Sequence, residues 1–258
     1  MNQFENKVAI VTGGASGIGR ALCEELGQRE AAMVVVADIN TAGGQARGAH
    51  LDVSRAEDVQ KLVEDIASEH GRLDFMFNNA GIALCGEVRD MDLEHWQRIL
   101  DVNLWGVIHG TTAAYRVMTQ QGFGHIVNTA SLGGLIPEPM ATAYATTKHA
   151  GLGLSTSLRA EAAELGIKVS AVCPGFVQTK ALDSATYVGI KREDAILEMS
   201  SSMRMMDATD FVRVILRGVA RNRAIITVTP FARFVWWLYR LRPTLLAPLE
   251  RKIIRCFR

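Results

Sequence analysis

Cysteine is scarce and scattered in this chain of 258 residues, with four in all, at Cys23, Cys85, Cys173 and Cys256. None forms a CxxC pair, and no His/Cys cluster has metal-ligand spacing, so neither a disulfide scaffold nor a metal is expected. Cys23, Cys85 and Cys173 sit in apolar contexts and read as buried, reduced thiols. Cys256 falls in a basic tail and reads as exposed. Net charge is almost absent, at +1, which argues against bulk nucleic-acid binding. No uninterrupted apolar run reaches the roughly 18 residues that mark a membrane span. The N-terminal MNQFENKVAIV has no basic segment followed by a long apolar one, so no secretory leader is expected. A cytoplasmic, reducing setting follows as the expectation.

Charge is uneven all the same. From Arg221 onward there are nine Lys/Arg and one acid, a net of +8, against −7 for the 220 residues before it. The hydrophobic share of 48% and the charged share of 21% suit a globular chain with a sizeable core. We read residues 1–229 as one α/β domain with an integral substrate loop at 176–206, and 230–258 as a C-terminal extension.

The stretch Ser131–Lys148, SLGGLIPEPMATAYATTK, carries the strongest chemical signal. Tyr144 and Lys148 are four apart, which places them one turn apart on one helical face. An ammonium held close to a phenol favours the phenolate, so the tyrosine pKa is expected to fall from about 10 toward neutrality. That would make an acid–base catalyst. Ser131 follows the apolar strand 125–130, at the strand end where ligands gather in open α/β sheets. Its hydroxyl could bond the oxygen that Tyr144 protonates or deprotonates.

Near the N-terminus, 7–11 reads as a buried strand. Thr12-Gly13-Gly14-Ala15-Ser16-Gly17-Ile18-Gly19 follows, then a helix over 20–30. Strand, glycine-rich turn and helix is the context of a dinucleotide site, where glycines admit the pyrophosphate to the helix N-terminus. The second strand, 32–37, ends at Asp38, a turn residue or a carboxylate for the adenosine ribose hydroxyls. A carboxylate there would repel a 2′-phosphate, and no Lys or Arg stands at Ser16 or Ile39, so NAD is favoured over NADP. Only twelve residues separate Asp38 from Leu51-Asp52-Val53. A stunted or irregular helix is expected there, since a parallel crossover needs about a dozen residues. Ser54 and Glu57 resemble a capping box for a helix reaching about His70.

Strand 75–77 closes on Asn78-Asn79-Ala80-Gly81. A long helical pattern, 92–120, contains Asn103, either a satisfied core asparagine or a functional amide. Strand 167–172 ends at Cys173-Pro174-Gly175-Phe176. The methionines Met199, Met203, Met205 and Met206 fit either a mobile lid or core packing. A helix at 207–219 and a last strand at 224–228 complete the domain.

Together these motifs resemble the short-chain dehydrogenase/reductase family, over Lys7 to about Thr229. The resemblance implies a Rossmann-type, three-layer α/β/α fold with a doubly wound parallel sheet of about seven strands. It implies a catalytic set of Asn103, Ser131, Tyr144 and Lys148: Tyr144 as general acid/base, Lys148 lowering its pKa and binding the nicotinamide ribose. Ser131 would hold the substrate oxygen and Asn103 a water in a proton relay. It implies a cofactor site of Gly13, Ser16, Gly17, Ile18, Gly19, Asp38, Asp52, Val53, Asn79, Ala80, Gly81, Tyr144, Lys148, Pro174, Gly175, Val177 and Thr179. A homodimer or homotetramer through the helices at 92–120 and 144–165 is also implied.

The tail interleaves Phe231, Phe234, Trp236, Trp237, Tyr239 and Phe257 with seven basic residues. Two short helices are expected, broken at Pro243 and Pro248. Basic and apolar faces suit a helix lying in a membrane interface, where anionic lipid adds about 1 kcal/mol per basic residue. Covering the substrate cleft or forming an oligomer contact are the other readings. The expected activity is NAD-dependent interconversion of a lipophilic secondary alcohol and ketone, or of a primary alcohol and aldehyde. Apolar residues near the site, Leu132, Leu135, Ile136, Met140 and Phe176, suggest the lipophilic substrate. A non-catalytic NAD-binding membrane or partner adaptor and an NADPH-dependent carbonyl reductase are the alternatives.

Overall fold

A computed structural model describes residues 2–40, 47–175, 177–179, 183–196, 205–245 and 247–256. The core of the molecule is a parallel sheet, and its strands are apolar nearly throughout because helices cover both faces. β1 (Val8–Thr12) is buried at every position. It is followed by α1 (Gly17–Gln28), β2 (Met33–Asp38), β3 (Arg47–His50), α2 (Ala56–His70), β4 (Phe75–Asn78) and β5 (Leu84–Gly86). Then come α3 (Leu93–Leu100), α4 (Gly106–Gln121), β6 (Gly124–Thr129), α5 (Thr142–Ala162), β7 (Ile167–Cys173) and β8 (Thr186–Val188). α6 (Ala208–Ala220), β9 (Ile225–Thr227), α7 (Pro230–Leu241) and α8 (Ala247–Cys256) end the chain.

Seven strands form one sheet in the order β3-β2-β1-β4-β6-β7-β9, every pair parallel. The doubly wound, Rossmann-like α/β fold expected from the sequence is therefore what forms. α1 and α6 cover one face, through Leu22, Leu26, Phe211 and Ile215. α2 and α4 cover the other, through Val63, Ile66, Ala114 and Met118. The winding reverses between β1 and β4, and the C-terminal ends of those two strands frame the crevice where open α/β sheets bind ligands. β5 and β8 make a separate parallel pair.

Three local expectations are corrected and one open alternative is decided. Residues 47–50 are strand, not part of a stunted helix, so β3 begins before Leu51; residues 41–46 lie outside the described ones. The Ser54/Glu57 capping box does not form. Ser54 instead donates from both its backbone N–H (3.0 Å) and its hydroxyl (2.7 Å) to Asp52 Oδ1. The N-cap position falls on Arg55, one residue further on, and no side chain caps the helix. The 92–120 pattern is not one α-helix, because residues Asp101–Trp105 form a π-helical turn between α3 and α4. Finally, Met206 is core packing: it lies against the α1/α6 cluster and bridges Val177. Met199 and Met203 fall outside the described residues.

Candidate active site

The crevice is built from strand ends. After β1, Gly13 adopts φ +65°, and a Cβ there would come within 2.8 Å of Ala80 Cα. A Cβ at Gly19 would collide with the Gly13 carbonyl oxygen. The turn thus packs directly on the segment after β4, and only glycine permits both the turn and the approach. Thr12 Oγ1 pins that segment by accepting from Asn79 N (3.0 Å) and Ala80 N (3.1 Å). The Asn79 carboxamide returns a bond to the Thr12 carbonyl at 3.1 Å.

Asp38 is buried at the end of β2 and holds the far side of the turn. Its Oδ2 accepts from Ala15 N at 3.0 Å and its Oδ1 from Asn40 N at 2.9 Å. Each carboxylate oxygen keeps a free lone-pair direction. Asp52 accepts from Ser54 through Oδ1, and Val53 is tied through its carbonyl to His109 Nδ1 at 3.0 Å. On the opposite wall, the Pro174 carbonyl accepts from Leu132 N. Thr179 lies against Gly17, 3.4 Å from where a Cβ of that glycine would be. Ser16 is the N-cap of α1 and Ile18 lies in its first turn, while Gly175 and Val177 follow β7.

The chemistry-bearing side chains converge one layer away. Asn103 sits in the π turn, 1% exposed, and grips Ile82 in both directions. Its Oδ1 accepts from Ile82 N at 2.8 Å and its Nδ2 donates to Ile82 O at 2.9 Å. π turns recur at functional positions because the extra residue re-aims a side chain. A Cβ at Gly81 would lie 3.2 Å from Asn103 Oδ1 and 3.4 Å from Lys148 Nζ, so these two groups face the same small space. Tyr144 and Lys148 lie on the first turns of α5, with the ammonium 5.5 Å from the phenol ring centre. Ser131 lies near enough to the Tyr144 phenol to draw its pKa down, and it accepts from Gly133 N at 3.1 Å.

The electrostatics reverse one expectation. The Tyr144 phenol is raised above its ordinary range, first by burial and then by the Glu138 charge, with Ser131 opposing. Lys148 is itself lowered to about 8 by burial, and its ammonium donates to the Thr129 carbonyl at 3.0 Å. The Lys148 hydrogen bond goes to a carbonyl and not to the phenol, so burial decides the sign of the Tyr144 shift. The spacing of four residues gives the proximity but not the burial that decides the sign.

Glu138 was not singled out by any motif. Its Oε2 is buried with no hydrogen-bond partner among the described residues, and it lies where a Cβ on Gly133 would collide with it. Burial pushes the carboxyl up to about 7 against the pull of Lys148. Only the run Pro137-Glu138-Pro139, an acid fixed between two prolines six residues before the tyrosine, marks it in the sequence.

Of the apolar residues expected around the substrate, Leu132 and Leu135 instead pack into a cluster with Cys173 and Ala232, and Ile136 lies against it. Met140 does line a cavity of about 150 Å³, with Glu87, Val88, Pro139, Thr142 and Ile254. Phe176 lies outside the described residues. Cys23, Cys85 and Cys173 are buried free thiols.

The sequence model of the short chain dehydrogenases matches residues 7–187, and the chain belongs to that family of oxidoreductases, which bind nicotinamide cofactors. It is 34% identical over 256 residues to a Mycobacterium tuberculosis protein named SadH, covering 93% of this chain and 92% of that one. It is 37% identical over 192 residues to the cyclohexanol dehydrogenase of an Acinetobacter strain, covering 69% of this chain and 76% of that enzyme. The structure superposes on a short-chain dehydrogenase/reductase from Burkholderia phymatum in complex with NAD, with a TM-score of 0.85 and 28% identity. That match covers 95% of this chain and 96% of the other. The glycine cradle that a Cβ would fill, and the acceptor-only carboxylate at the end of β2, fit a nicotinamide dinucleotide.

Proposed function

We propose that this protein is an NAD-dependent dehydrogenase that interconverts a lipophilic secondary alcohol and its ketone, with Tyr144 as the general acid/base. The observation that carries the reading is the convergence of Tyr144, Lys148, Ser131 and Asn103 beside Gly81 at the crevice. The turns around Gly13, Gly17 and Gly19 would hold the pyrophosphate, Asp38 the adenosine ribose, and Lys148 the nicotinamide ribose. The bound nicotinamide supplies the hydride acceptor or donor.

The chain's own residues then handle the proton. In reduction, the Tyr144 hydroxyl gives its proton to the carbonyl oxygen, and the nearby Ser131 hydroxyl holds the oxygen in place. In oxidation, the same phenol takes the alcohol proton after losing its own to solvent. Asn103 positions the Ile82 backbone and closes one wall. A phenol held above its ordinary range rests protonated, the form that reduction starts from and that oxidation must first ionise.

NAD rather than NADP is supported by Asp38, whose charge meets a 2′-phosphate with repulsion. The lipophilic substrate is supported by the Val88, Pro139, Met140 and Ile254 lining of the cavity and by the relative that acts on cyclohexanol. Assembly as a homodimer or homotetramer belongs to the same proposal, supported by the exposed Leu93 and Trp105 on the α3–α4 rod. The test is Tyr144→Phe assayed with NAD and a panel of cyclic and long-chain alcohols. NADH binding should survive and turnover should fall at least a thousandfold, on the order of a lost acid–base catalyst. Turnover within threefold of wild type would remove Tyr144 from the mechanism.

A further inference from the structure

The tail begins as a preformed helix. Thr229 caps α7 by accepting from Ala232 N at 3.1 Å, and Pro230 occupies its first turn. One face is fixed to the protein: Ala232 is buried and Trp236 packed in the cluster that holds Leu132, Leu135 and Cys173. The opposite face is bare. Phe231, Phe234, Trp237 and Leu241 follow one another at spacings of three, three and four, and Leu245 continues the line. All five are between 49% and 61% exposed.

Cations border this stripe. Arg233 and Arg240 are exposed seven residues apart, two turns along the same side, and Arg242 follows. Arg251 and Arg255 are exposed on α8. Glu250 is the one acid among nine basic residues from Arg221 onward. A second copy of this face would bring like charges together around its own stripe, whereas a surface that is apolar within and anionic at its rim complements both features. Aromatic side chains favour the headgroup level of a bilayer, and helices of this pattern lie in its plane. Among the described residues no helix is long and apolar enough to cross a membrane.

We infer that α7, with its stripe from Phe231 to Leu245 and its arginine rim, docks the protein on an anionic lipid bilayer. The placement has a functional edge that does not depend on the reaction proposed above. α8 returns along the domain so that Ile254 lines the cavity with Pro139, Met140 and Thr142, two residues from Tyr144. The docked face and one wall of the cavity therefore belong to the same tail.

The full-length protein is mixed with vesicles of phosphatidylcholine, alone or blended with phosphatidylglycerol, and floated on a density gradient. Wild type is expected to float with the blend at low salt, to release at high salt, and to stay down with phosphatidylcholine alone. The triple variant Phe231→Ser, Phe234→Ser, Trp237→Ser should lose at least about tenfold in the floating fraction, and so should Arg233→Glu with Arg240→Glu. Both should keep the wild-type melting temperature, since none of these side chains is buried. Wild type that stays down with both compositions overturns the inference. So does a triple variant that floats like wild type, or one that merely dissociates an oligomer without changing flotation.

Discussion

The Ala15 backbone N–H donates to Asp38 Oδ2 at 3.0 Å, so the glycine turn after β1 and the end of β2 are one rigid unit. That bond makes Asp38 a fastener as well as the carboxylate proposed to meet an adenosine ribose. Its exposed neighbour Ile39 points to solvent. The double substitution Asp38→Ser, Ile39→Arg keeps a hydroxyl acceptor for Ala15 and adds a phosphate partner. Fluorescence titration should show NADPH binding gaining at least about tenfold, the usual worth of one charge-assisted contact. An unchanged NADH/NADPH ratio would detach cofactor choice from this position.

Glu138 predicts the pH behaviour of the reaction. Its carboxylate raises both Tyr144 and Lys148, and its own pKa sits at about 7. Above neutrality it is ionised and opposes formation of the phenolate. Oxidation of an alcohol should therefore keep rising with pH through the alkaline range. Glu138→Gln removes the charge, so the alkaline limb of kcat/KM should move to lower pH by roughly one unit. A superimposable profile would show that the carboxylate does not reach the phenol's titration.

The buried His125 predicts part of the stability profile. Its Nε2 lies 2.8 Å from Ser170 Oγ, and Ser170 donates to the Arg223 carbonyl at 2.7 Å, so Nε2 carries the proton. Burial, with Lys168 and Arg159 nearby, lowers its pKa to about 3 from an ordinary 6.5. Between those values the unfolded chain binds a proton that the folded chain refuses, so stability falls as pH falls through that window. Urea unfolding from pH 7 to pH 4 should give a slope up to about 1.4 kcal/mol per pH unit steeper for wild type than for His125→Asn. Parallel curves would mean the imidazole is charged in the fold.

Asn128 ties three elements in the core. Its Oδ1 accepts from Asn78 Nδ2 (2.8 Å) and Thr111 Oγ1 (3.3 Å), and its Nδ2 donates to Ser155 Oγ at 3.0 Å. Asn128→Ala removes three buried hydrogen bonds, one each to β4, α4 and α5, at a cost of about 3 kcal/mol. Thermal melts should show Tm lowered by roughly 6–12 °C. A drop under about 2 °C would mean water replaces the amide.

The sequence made some of this legible and hid the rest for identifiable reasons. Strand ends could be read because a buried parallel strand is a short apolar run that stops at a polar or glycine residue, as Val11 stops at Thr12 and Phe77 at Asn78. Ser131 lies just past such a strand, whereas Asn103 and Tyr144 lie on helices and are joined to it in the sequence only by the motif set that resembles the family's. The π turn left no trace, since its helical neighbours keep ordinary propensities on either side. The sign of the Tyr144 shift was hidden too, because burial belongs to the fold and not to the spacing. Glu138 has no partner in sequence and becomes visible only as an oxygen with no bond.

The π turn at Asp101–Trp105 also works as a phase slip. Before it, Ile99 faces Leu84 and Ala143 on the substrate side. After it, Ala113, Ala114 and Met118 face the sheet. One surplus residue rotates the downstream helix by about 100° relative to an unbroken one. Deleting a single residue from this turn would restore a regular helix and aim one of its two halves at the wrong layer.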